Sequence, residues 1–479
     1  MPPPNQADLP HPRTLRQLRQ DRGLAQYAVA EACGVDGSDL RRWERGLDLP
    51  PDAALDTFAQ FFQVPVTSLR TALMQQSETV NAGEGYVTSQ PVGVSVTPRR
   101  ETPPPDRLKV LDLFCGAGGF SYGLEMTGAF AVTAGIDLLP DRVATFAANH
   151  SYAASIRHDI REISVEQLCD QALGPDIVVG GPPCQGFSSI RPFRGLTEDD
   201  QRNNLFESFV VVVAQARPRW FVLENVVGLL QHKRKGAFQA ILDGFEELGY
   251  RTDWRVLNAA MYGLPQNRER VVVVGSRDGE AFQWPKRTHF SEHRTMAGRH
   301  AKRDVDAPLF AGEAPPAVTA MEAISDLPPV GAGETAAAYD LPAQNDYQAL
   351  MRRGSDALTL HTATNHSAKM LEIIRHAGAN RNELPEGMTT SGFSSSYSRL
   401  DPDSPSVTLT VNFVHPSSNK CIHPHQDRAL TPREGARIQG FPDSFHFAGT
   451  RSKIVKQIGN AVPPLLGRVI GEALLRSMA

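Results

Sequence analysis

The chain has 479 residues and a formal net charge of −4 at pH 7, and no apolar run approaches the roughly 20 residues that a membrane-spanning helix needs. A hydrophobic fraction of 41% and a charged fraction of 21% are typical of a soluble globular protein with two or three domains. The five cysteines are scattered and show no paired spacing, which argues against disulfides and a zinc site. The same spacing leads us to expect no bound metal. Because the N-terminus lacks a signal-peptide pattern, we expect a cytoplasmic protein.

The first part of the chain is predicted to be helical. Apolar residues recur at helical spacing between residues 13 and 73, and glycines separate the segments. The following stretch is polar and rich in Pro, Gly, Ser and Thr, which is typical of a linker. We therefore expect a helical domain over residues 1–75 and a linker over residues 76–106.

From Leu108 the pattern changes to short apolar runs that alternate with helical stretches. The runs LKVLDLF, AVTAGID, DIVVGG, WFVLEN and RVVVVGS are each predicted to be a buried parallel strand. Such alternation indicates a doubly wound, Rossmann-like α/β sheet over residues 107–276. Residues 277–400 lose the alternation and are expected to form an irregular second lobe, after which residues 401–479 return to the sheet domain.

A glycine-rich turn, Cys115–Phe120, follows the first strand and would let a ligand approach the backbone closely. Asp137 ends the next strand about 20 residues later, where a carboxylate can hold two ribose hydroxyls. Asp159 could accept a hydrogen bond from an adenine amino group. The turn differs from the dinucleotide pattern and lacks a P-loop lysine, which favours S-adenosylmethionine over NAD and nucleoside triphosphates. A tight turn of any α/β protein is the alternative reading.

Two further strand ends carry reactive side chains. Cys184 follows two prolines after DIVVGG, and a thiolate at that position is a candidate nucleophile, although a single cysteine is usually inert and buried. Glu224 follows WFVL, where a half-buried glutamic acid can stay protonated near neutrality and donate to a ring nitrogen, with Asn225 to orient it. A salt-bridged strand-end glutamate is the alternative.

The segment Gln266–Arg270 places two arginines just before the last apolar run. A guanidinium fork suits both a pyrimidine carbonyl and a phosphate, so Arg268 and Arg270 are candidate substrate contacts. Taken alone, the segment would be read as a solvated charged turn.

These motifs together resemble the DNA cytosine-5 methyltransferase family, and the resemblance covers about residues 107–479. The ordered motifs are DLFCGAGGFS (112–121), Asp137, Asp159-Ile160, GPPCQGFS (181–188), ENV (224–226), QNRER (266–270), RLDPDSPSVTLT (399–410), LTPREGARIQGFPDSF (430–445) and GNAVPP (459–464).

The resemblance implies a role for each matching residue. Cys184 would be the nucleophile, Glu224 would contact the cytosine N3 and amino group, Arg270 would contact the base carbonyl, and Arg268 would support the site. GNAVPP would close the chain onto the cofactor pocket, with the final helix against the first strand. The residues implied to line the S-adenosylmethionine site are Phe114, Gly116, Gly118, Asp137, Leu138, Asp159, Ile160, Pro183, Leu205, Asn460 and Val462.

Residues 13–70 resemble the helix-turn-helix domain of phage-repressor-like regulators, most specifically at Trp43-Glu44-Arg45-Gly46. Its second helix is expected over Gln26–Cys33 and its recognition helix over Gly37–Arg45. Ala25 cannot cap the second helix, and Asp36 and Asp39 lie where base-reading residues belong, so a dimerising or packing role stays open beside DNA binding.

The resulting expectation is a sequence-specific methyltransferase that acts on cytosine C5 in double-stranded DNA, as part of a restriction-modification system. Its N-terminal domain would bind its own promoter, and a cognate restriction endonuclease would act on the same site without direct contact. Two alternatives remain. One is a tRNA cytosine-5 methyltransferase, against which the missing Cys-Phe-Thr signature and the long lobe argue. The other is primarily a DNA-binding regulator, against which the intact Cys184 and Glu224 argue.

Overall fold

A computed structural model describes residues 14–44, 50–73, 94–183, 204–230, 235–292, 314–389 and 394–479. The chain divides into two compact units, Met1–Val92 and Gly93–Ala479. Among the described residues, no helix is both long and apolar enough to cross a bilayer.

The first unit is all helical. Its helices are α1 (Leu15–Asp21), α2 (Gln26–Cys33), α3 (Gly37–Glu44), α4 (Asp52–Phe62) and, as far as it is described, α5 (residues 66–73). The predicted second helix is confirmed, and the recognition helix covers its predicted range up to Glu44, because Arg45 lies outside the described residues. Gly34, in the left-handed conformation, ends α2 and starts the short turn to α3.

The core of this unit explains why the helices hold together. Trp43 packs edge-on against Phe58, with ring centroids 5.8 Å apart, and Leu15, Val29 and Leu40 are fully buried around them. These are the residues whose helical spacing predicted the unit, so the apolar pattern alone specifies this core.

An eight-stranded sheet forms the centre of the second unit, in the order β1-β4-β3-β2-β5-β6-β9-β7. Strands β2 to β6 are mutually parallel where they pair. The sheet strands are β1 (Ser95–Thr97), β2 (Leu108–Leu113), β3 (Phe130–Asp137), β4 (Ala154–Arg157), β5 (Ile177–Gly180), β6 (Trp220–Val226), β7 (Arg251–Asn258) and β9 (Glu269–Ser276), and a separate pair is formed by β8 (Gln266–Asn267) and β10 (Ser406–Val407).

The prediction that RVVVVGS forms a parallel strand is wrong. β9 runs antiparallel to both of its neighbours, β6 and β7. A parallel partner needs a long crossover, usually a helix, whereas the connection from β7 to β9 holds only the 3₁₀ turn Ala259–Tyr262 and β8. The chain therefore turns back and fills the gap between β6 and β7. The valine run does not indicate the strand direction, because a strand buried on both faces has the same apolar pattern whether it is parallel or antiparallel to its neighbours.

The end of the predicted linker is part of the sheet domain. Ser95–Thr97 pairs antiparallel with β4, and Arg100 donates to the carbonyls of Ala147 and Ala148. We call residues 94–107 the strap. All three strand residues are exposed at the edge of the sheet, so they carry no apolar alternation from which this strand could be predicted.

Helices cover both faces of the sheet, and shorter helices form the lobe beyond it. They are α6 (Gly119–Glu125), α7 (Pro140–Asn149), α8 (Val165–Gln171), α9 (Asn204–Ala216), α10 (Lys235–Glu247), α11 (Ala320–Ile324), α12 (Asp346–Arg352), α13 (Ala368–Arg375), α14 (Pro432–Ile438), α15 (Arg451–Asn460) and α16 (Pro464–Met478).

The described part of the lobe has its own apolar core around α14. Ile324, Met351 and Leu358 share this core with Phe413 and Phe441, so it continues across the predicted boundary at residue 400. All seven residues of α14 are buried. Most of the stretch Lys286–Arg303, which is dense in Lys, Arg and His, lies outside the described residues.

The last helix returns to the sheet. Leu466, Ile470 and Leu474 of α16 share an apolar cluster with Val110 of the first core strand, whereas the most extensive contacts of α16 are with α6. A Cβ at Gly123 would lie 1.9 Å from the carbonyl oxygen of Pro464, so only glycine permits this helix contact.

Candidate active site

Five strand ends meet at one edge of the sheet. Leu113 pairs with Ile136 on one side and with Gly180 on the other, Gly180 pairs with Leu223, and Asp137 pairs with Arg157 at the end of β4. The residues that follow these positions therefore lie side by side at the carboxyl edge, where open α/β sheets bind ligands. The described residues contain no cluster of three or more His, Cys, Asp or Glu that could hold a metal ion.

The glycine-rich turn has the backbone shape that a closely approaching ligand requires. Phe114, Gly116 and Gly118 all have positive φ, at 58°, 54° and 85°. A Cβ at Gly116 would meet nothing closer than the Phe114 carbonyl oxygen at 3.9 Å, so the space beside it is open. At Gly118 a Cβ would lie 2.3 Å from Nε2 of His150. Gly116 thus borders the candidate cofactor space, whereas Gly118 is required by a protein neighbour.

Asp137 is fixed beside this turn. Its Oδ2 accepts from the Gly116 N–H at 3.0 Å and its Oδ1 from the Leu139 N–H at 2.9 Å. Burial raises the pKa of Asp137, while the Arg142 guanidinium and these two N–H groups oppose the rise. The carboxylate keeps lone pairs for further donors, as a ribose-binding acid needs.

Asp159 and the predicted apolar cofactor residues have different surroundings. Burial alone would raise the pKa of Asp159, but hydrogen bonds from Arg161 hold it below the ordinary value. Leu138, Ile160 and Leu205 are buried. Val462 is half-buried and its carbonyl lies against Gly119 at the start of α6, whereas Asn460 is exposed.

The Gly181–Pro183 segment is held by the neighbouring strand. Asn225 Nδ2 donates to the Pro182 carbonyl at 2.9 Å, and the Asn225 side-chain oxygen accepts from the Val226 N–H. Asn225 therefore orients the proline segment. The sequence had suggested instead that Asn225 orients Glu224. Pro183 is the last described residue before Cys184, which lies outside the described residues.

Glu224 is held by Arg270. Arg270 Nε lies 2.6 Å from Glu224 Oε1, and both side chains are about nine-tenths buried. Arg270 stands opposite Val226 in the antiparallel β6–β9 pair, so it is the diagonal neighbour of Glu224 on the same face of the sheet. A Cβ at Gly181 would lie 3.1 Å from Glu224 Oε2, which places this carboxylate next to the proline segment.

Arg268 lies deeper than Arg270 and links distant parts of the chain. Its Nη2 donates to the carbonyls of Gly459 at 3.1 Å and Ala461 at 2.9 Å. Burial, followed by the positive charge of Arg270, lowers the pKa of Arg268 well below its ordinary value. Arg268 is 1% exposed, and its guanidinium already donates to backbone carbonyls. These surroundings fit a supporting role and not a direct contact with substrate.

Several residues of this edge were missed in the sequence. Gln266 donates to the Gln439 side chain at 2.6 Å, and Gln439 donates to Ala461 at 2.6 Å. His150 contacts the Gly118 carbonyl of the glycine turn, and Glu125 in turn contacts His150. The two glutamines stand inside quoted motifs and could have been found there, whereas nothing in the sequence pattern distinguishes His150.

Comparisons with known proteins identify the families to which the two parts of the chain are similar. Residues 108–476 match the family described as C-5 cytosine-specific DNA methylase, and residues 13–73 match a helix-turn-helix domain. The Type II methyltransferase M1.HphI of Haemophilus parahaemolyticus is 35% identical over 77% of this chain and 87% of its own length. M.AgeI of Thalassovita gelatinovora is 32% identical over 77% of this chain and 99% of its own length. A solved structure of a proposed DNA modification methyltransferase from an E. coli prophage is 25% identical, covers 78% of this chain and 99% of its own, and has a TM-score of 0.59.

Proposed function

We propose roles for individual residues from the premise that the chain belongs to the C-5 cytosine-specific DNA methylase family and is a DNA cytosine-5 methyltransferase that uses S-adenosylmethionine. The relatives M1.HphI and M.AgeI are Type II methyltransferases, which supports a place in a restriction-modification system. The observation that carries the proposal is the Glu224–Arg270 pair beside the segment that leads into Cys184.

Cys184 is the proposed nucleophile. The target carbon is inaccessible in a stacked duplex, so the cytosine must first be extruded. The thiolate then forms a bond to C6 with its own electron pair, the ring electrons move towards N3, and N3 takes up a proton. C5 becomes an enamine carbon that can accept a methyl group. A base such as a solvent water then takes the C5 proton, the electrons of that bond restore the C5–C6 double bond and expel the thiolate, and N3 releases the proton that it took up.

Glu224 and Arg270 would divide the recognition of the base between them. An ion pair is made by the carboxylate of Glu224, whereas donation to N3 needs its carboxylic acid. A cytosine whose carbonyl draws the Arg270 guanidinium away would free Glu224 to carry that proton. The ion pair is therefore the resting arrangement, and substrate binding would replace it.

The glycine turn and the adjacent carboxylates would hold the cofactor. Asp137 would accept from the ribose hydroxyls, Asp159 from the adenine amino group, and the open space beside Gly116 would admit the ligand against the backbone. S-adenosylmethionine, when bound there, supplies the methyl group. Cys115 belongs to the same turn, but burial raises its pKa well above the ordinary value and leaves it a poor nucleophile.

The lobe would read the DNA sequence, and the first unit would regulate transcription from its own promoter. The lobe follows the last core strand and has a core separate from the sheet. The first unit presents α2 and α3 in the arrangement of a helix-turn-helix reader. A cognate endonuclease would act on the same site without contacting this protein.

A covalent trap tests the catalytic proposal. Incubation with S-adenosylmethionine and mixed-sequence duplexes in which 5-fluorocytosine replaces cytosine should give a denaturation-stable protein–DNA adduct, because fluorine blocks the final elimination. Cys184→Ala should give no adduct and no methylation, whereas the matched control Cys169→Ala, a half-buried thiol on α8, should behave as the parent. Methylation by the Cys184→Ala protein would refute the mechanism.

A further inference from the structure

His150 occupies an unusual position directly beneath the glycine turn. It follows the last residue of α7, and its side chain is fully buried. Nε2 lies 3.2 Å from the carbonyl oxygen of Gly118, and Nδ1 lies 2.7 Å from Oε2 of Glu125. A carbonyl oxygen can only accept, so Nε2 must donate to it. The imidazole therefore connects the turn to a carboxylate on α6.

The groups around the imidazole leave it little freedom. Phe146 stacks on the ring with centroids 4.3 Å apart, and Tyr122 meets it edge-on at 6.2 Å. Glu125 is itself fixed, because its Oε1 accepts from the Val132 N–H at 3.1 Å. Asp112 on β2 also lies near the imidazole, and it is buried and accepts from the Ser121 hydroxyl.

The turn is thereby held at two points. Asp137 accepts from the N–H of Gly116, and His150 donates to the carbonyl of Gly118 two residues later. Gly118 is in the left-handed conformation at φ 85°, and the imidazole fills the space where a Cβ would lie. The imidazole thus determines where the backbone between these two points runs, and that backbone borders the open space beside Gly116.

We propose that His150, held by Glu125, is a positioning residue for cofactor binding, which acts through the Gly118 carbonyl and does not touch the cofactor. The inference rests on the proposed function of this site. It predicts a specific pattern: weaker cofactor binding, an unchanged rate at saturating cofactor, and rescue by a side chain that restores an N–H donor to the Gly118 carbonyl.

The test uses the full-length protein and calorimetric titration with S-adenosylhomocysteine. His150→Leu should raise the dissociation constant about tenfold, the effect of one well-placed buried hydrogen bond. His150→Gln, whose amide can still donate to Gly118, should recover most of this loss. Leu168→Ala removes a fully buried side chain from α8, and it should lower the melting temperature without changing the dissociation constant.

Two further measurements separate positioning from general destabilisation. With unmethylated genomic DNA as acceptor, His150→Leu should raise KM for S-adenosylmethionine about tenfold and leave kcat within about twofold. Glu125→Leu combined with His150→Leu should bind no more weakly than His150→Leu alone, because the two side chains act as one unit.

The outcomes are distinct. Parental affinity in His150→Leu, a loss equal to that of Leu168→Ala, or no rescue by His150→Gln would each overturn the inference. If the parent itself bound no S-adenosylhomocysteine, the proposed cofactor site would be refuted, and the inference that rests on it with it.

Discussion

Two buried carboxylates at the carboxyl edge of the sheet, one on β3 and one on β6, differ in what surrounds them, and their proposed roles follow from that difference. Asp137 is held by two backbone N–H groups next to the glycine turn. Glu224 faces a guanidinium next to the Pro182-Pro183 segment. The backbone donors hold Asp137 in place as a hydrogen-bond acceptor. The ion pair of Glu224, by contrast, can be replaced by contacts with the polar groups of a substrate.

Substitution of the two carboxylates should therefore affect different steps. Asp137→Asn should weaken S-adenosylhomocysteine binding about tenfold or more, because charge-assisted hydrogen bonds are lost and the new amide meets N–H donors. Glu224→Gln should retain cofactor affinity within about twofold and slow methyl transfer by a factor on the order of 10² or more, the usual effect of losing a general acid. Calorimetry and single-turnover methylation measure the two quantities. Equal effects of both variants on cofactor affinity would contradict the assignment.

Arg268 should be important for stability as well as activity. Arg268→Met keeps the apolar stem but removes the side-chain donor of the Gly459 carbonyl and one of the two side-chain donors of the Ala461 carbonyl, which still accepts from Gln439. We expect a loss of about 1–3 kcal/mol in the free energy of unfolding, since a buried acceptor is left unpaired. Urea denaturation measures it. Arg277→Met, which replaces a partly exposed arginine beyond β9, is the control and should cost less than about 1 kcal/mol.

At the scale of elements, the sequence predicts each core strand that is apolar but not how the strands pair. The runs of valine and leucine located β2, β3, β5, β6 and β9 correctly. The direction of β9 depends on the absence of a crossover helix, which an apolar run does not reveal. Edge strand β1 was missed because its residues are exposed.

Helix α14 shows a second limit of the sequence pattern. Its residues PREGARI suggest an exposed charged helix, yet all are buried. Arg437 pairs with Asp443, at 2.6 Å, and also with Asp326, more than 100 residues earlier. Arg428 pairs with Glu434 at 2.7 Å. Only the folded chain brings these partners together, so burial of the helix could not be inferred from its composition.

Neutral histidines beside this cluster should make the lobe sensitive to acid. His366 Nε2 accepts from the Ala429 N–H, and His423 Nδ1 accepts from the N–H groups of His425 and Gln426. Burial is the main cause that lowers the pKa of each to about 4. The unfolded chain takes up protons near pH 6.5 and the folded lobe near pH 4, so stability is complete above pH 6.5 and falls between these values.

We expect a loss of about 1 kcal/mol per histidine between pH 7 and pH 5, after allowance for solvent screening. Hydrogen exchange of the lobe at the two pH values measures it. His423→Gln should reduce the pH dependence, whereas His376→Gln, at an exposed position after α13, should leave it unchanged. An equal pH dependence in both variants would show that other groups are responsible.

At the scale of the whole molecule, the chain joins two compact units, and the strap belongs to the second of them. Arg99 donates to the Gln171 carbonyl at the end of α8, and Arg100 donates to two carbonyls at the end of α7. The N–H groups of Arg100 and Glu101 donate to the Ser151 carbonyl, next to His150. The strap therefore caps the ends of two helices, and a truncation that enters it should be harmful.

Two truncations separate the contributions of the first unit and the strap. Deletion of residues 1–92 should leave methylation intact, because the strap and the whole sheet remain. Deletion of residues 1–107 should lower the melting temperature by several degrees, since the orphaned carbonyls of α7 and α8 lose their guanidinium donors. If both proteins were equally active and equally stable, the strap contacts would contribute nothing.

The shorter truncation also tests the proposed regulatory role. In the first unit Glu44 is buried and accepts from Arg19 and Gln26, which locks α3 against α1 and α2 in the helix-turn-helix arrangement. We expect the full-length protein to retard a fragment of its own promoter that lacks the methylation site, and the protein without residues 1–92 to leave it free. Retardation should weaken steeply with salt, because phosphate contacts release counterions.

Acidic Asp36 and Asp39 at the start of α3 limit the attraction, so Asp39→Asn should strengthen binding unless that carboxylate accepts from a cytosine amino group. Equal retardation of promoter and random DNA would instead assign the unit a packing or dimerising role.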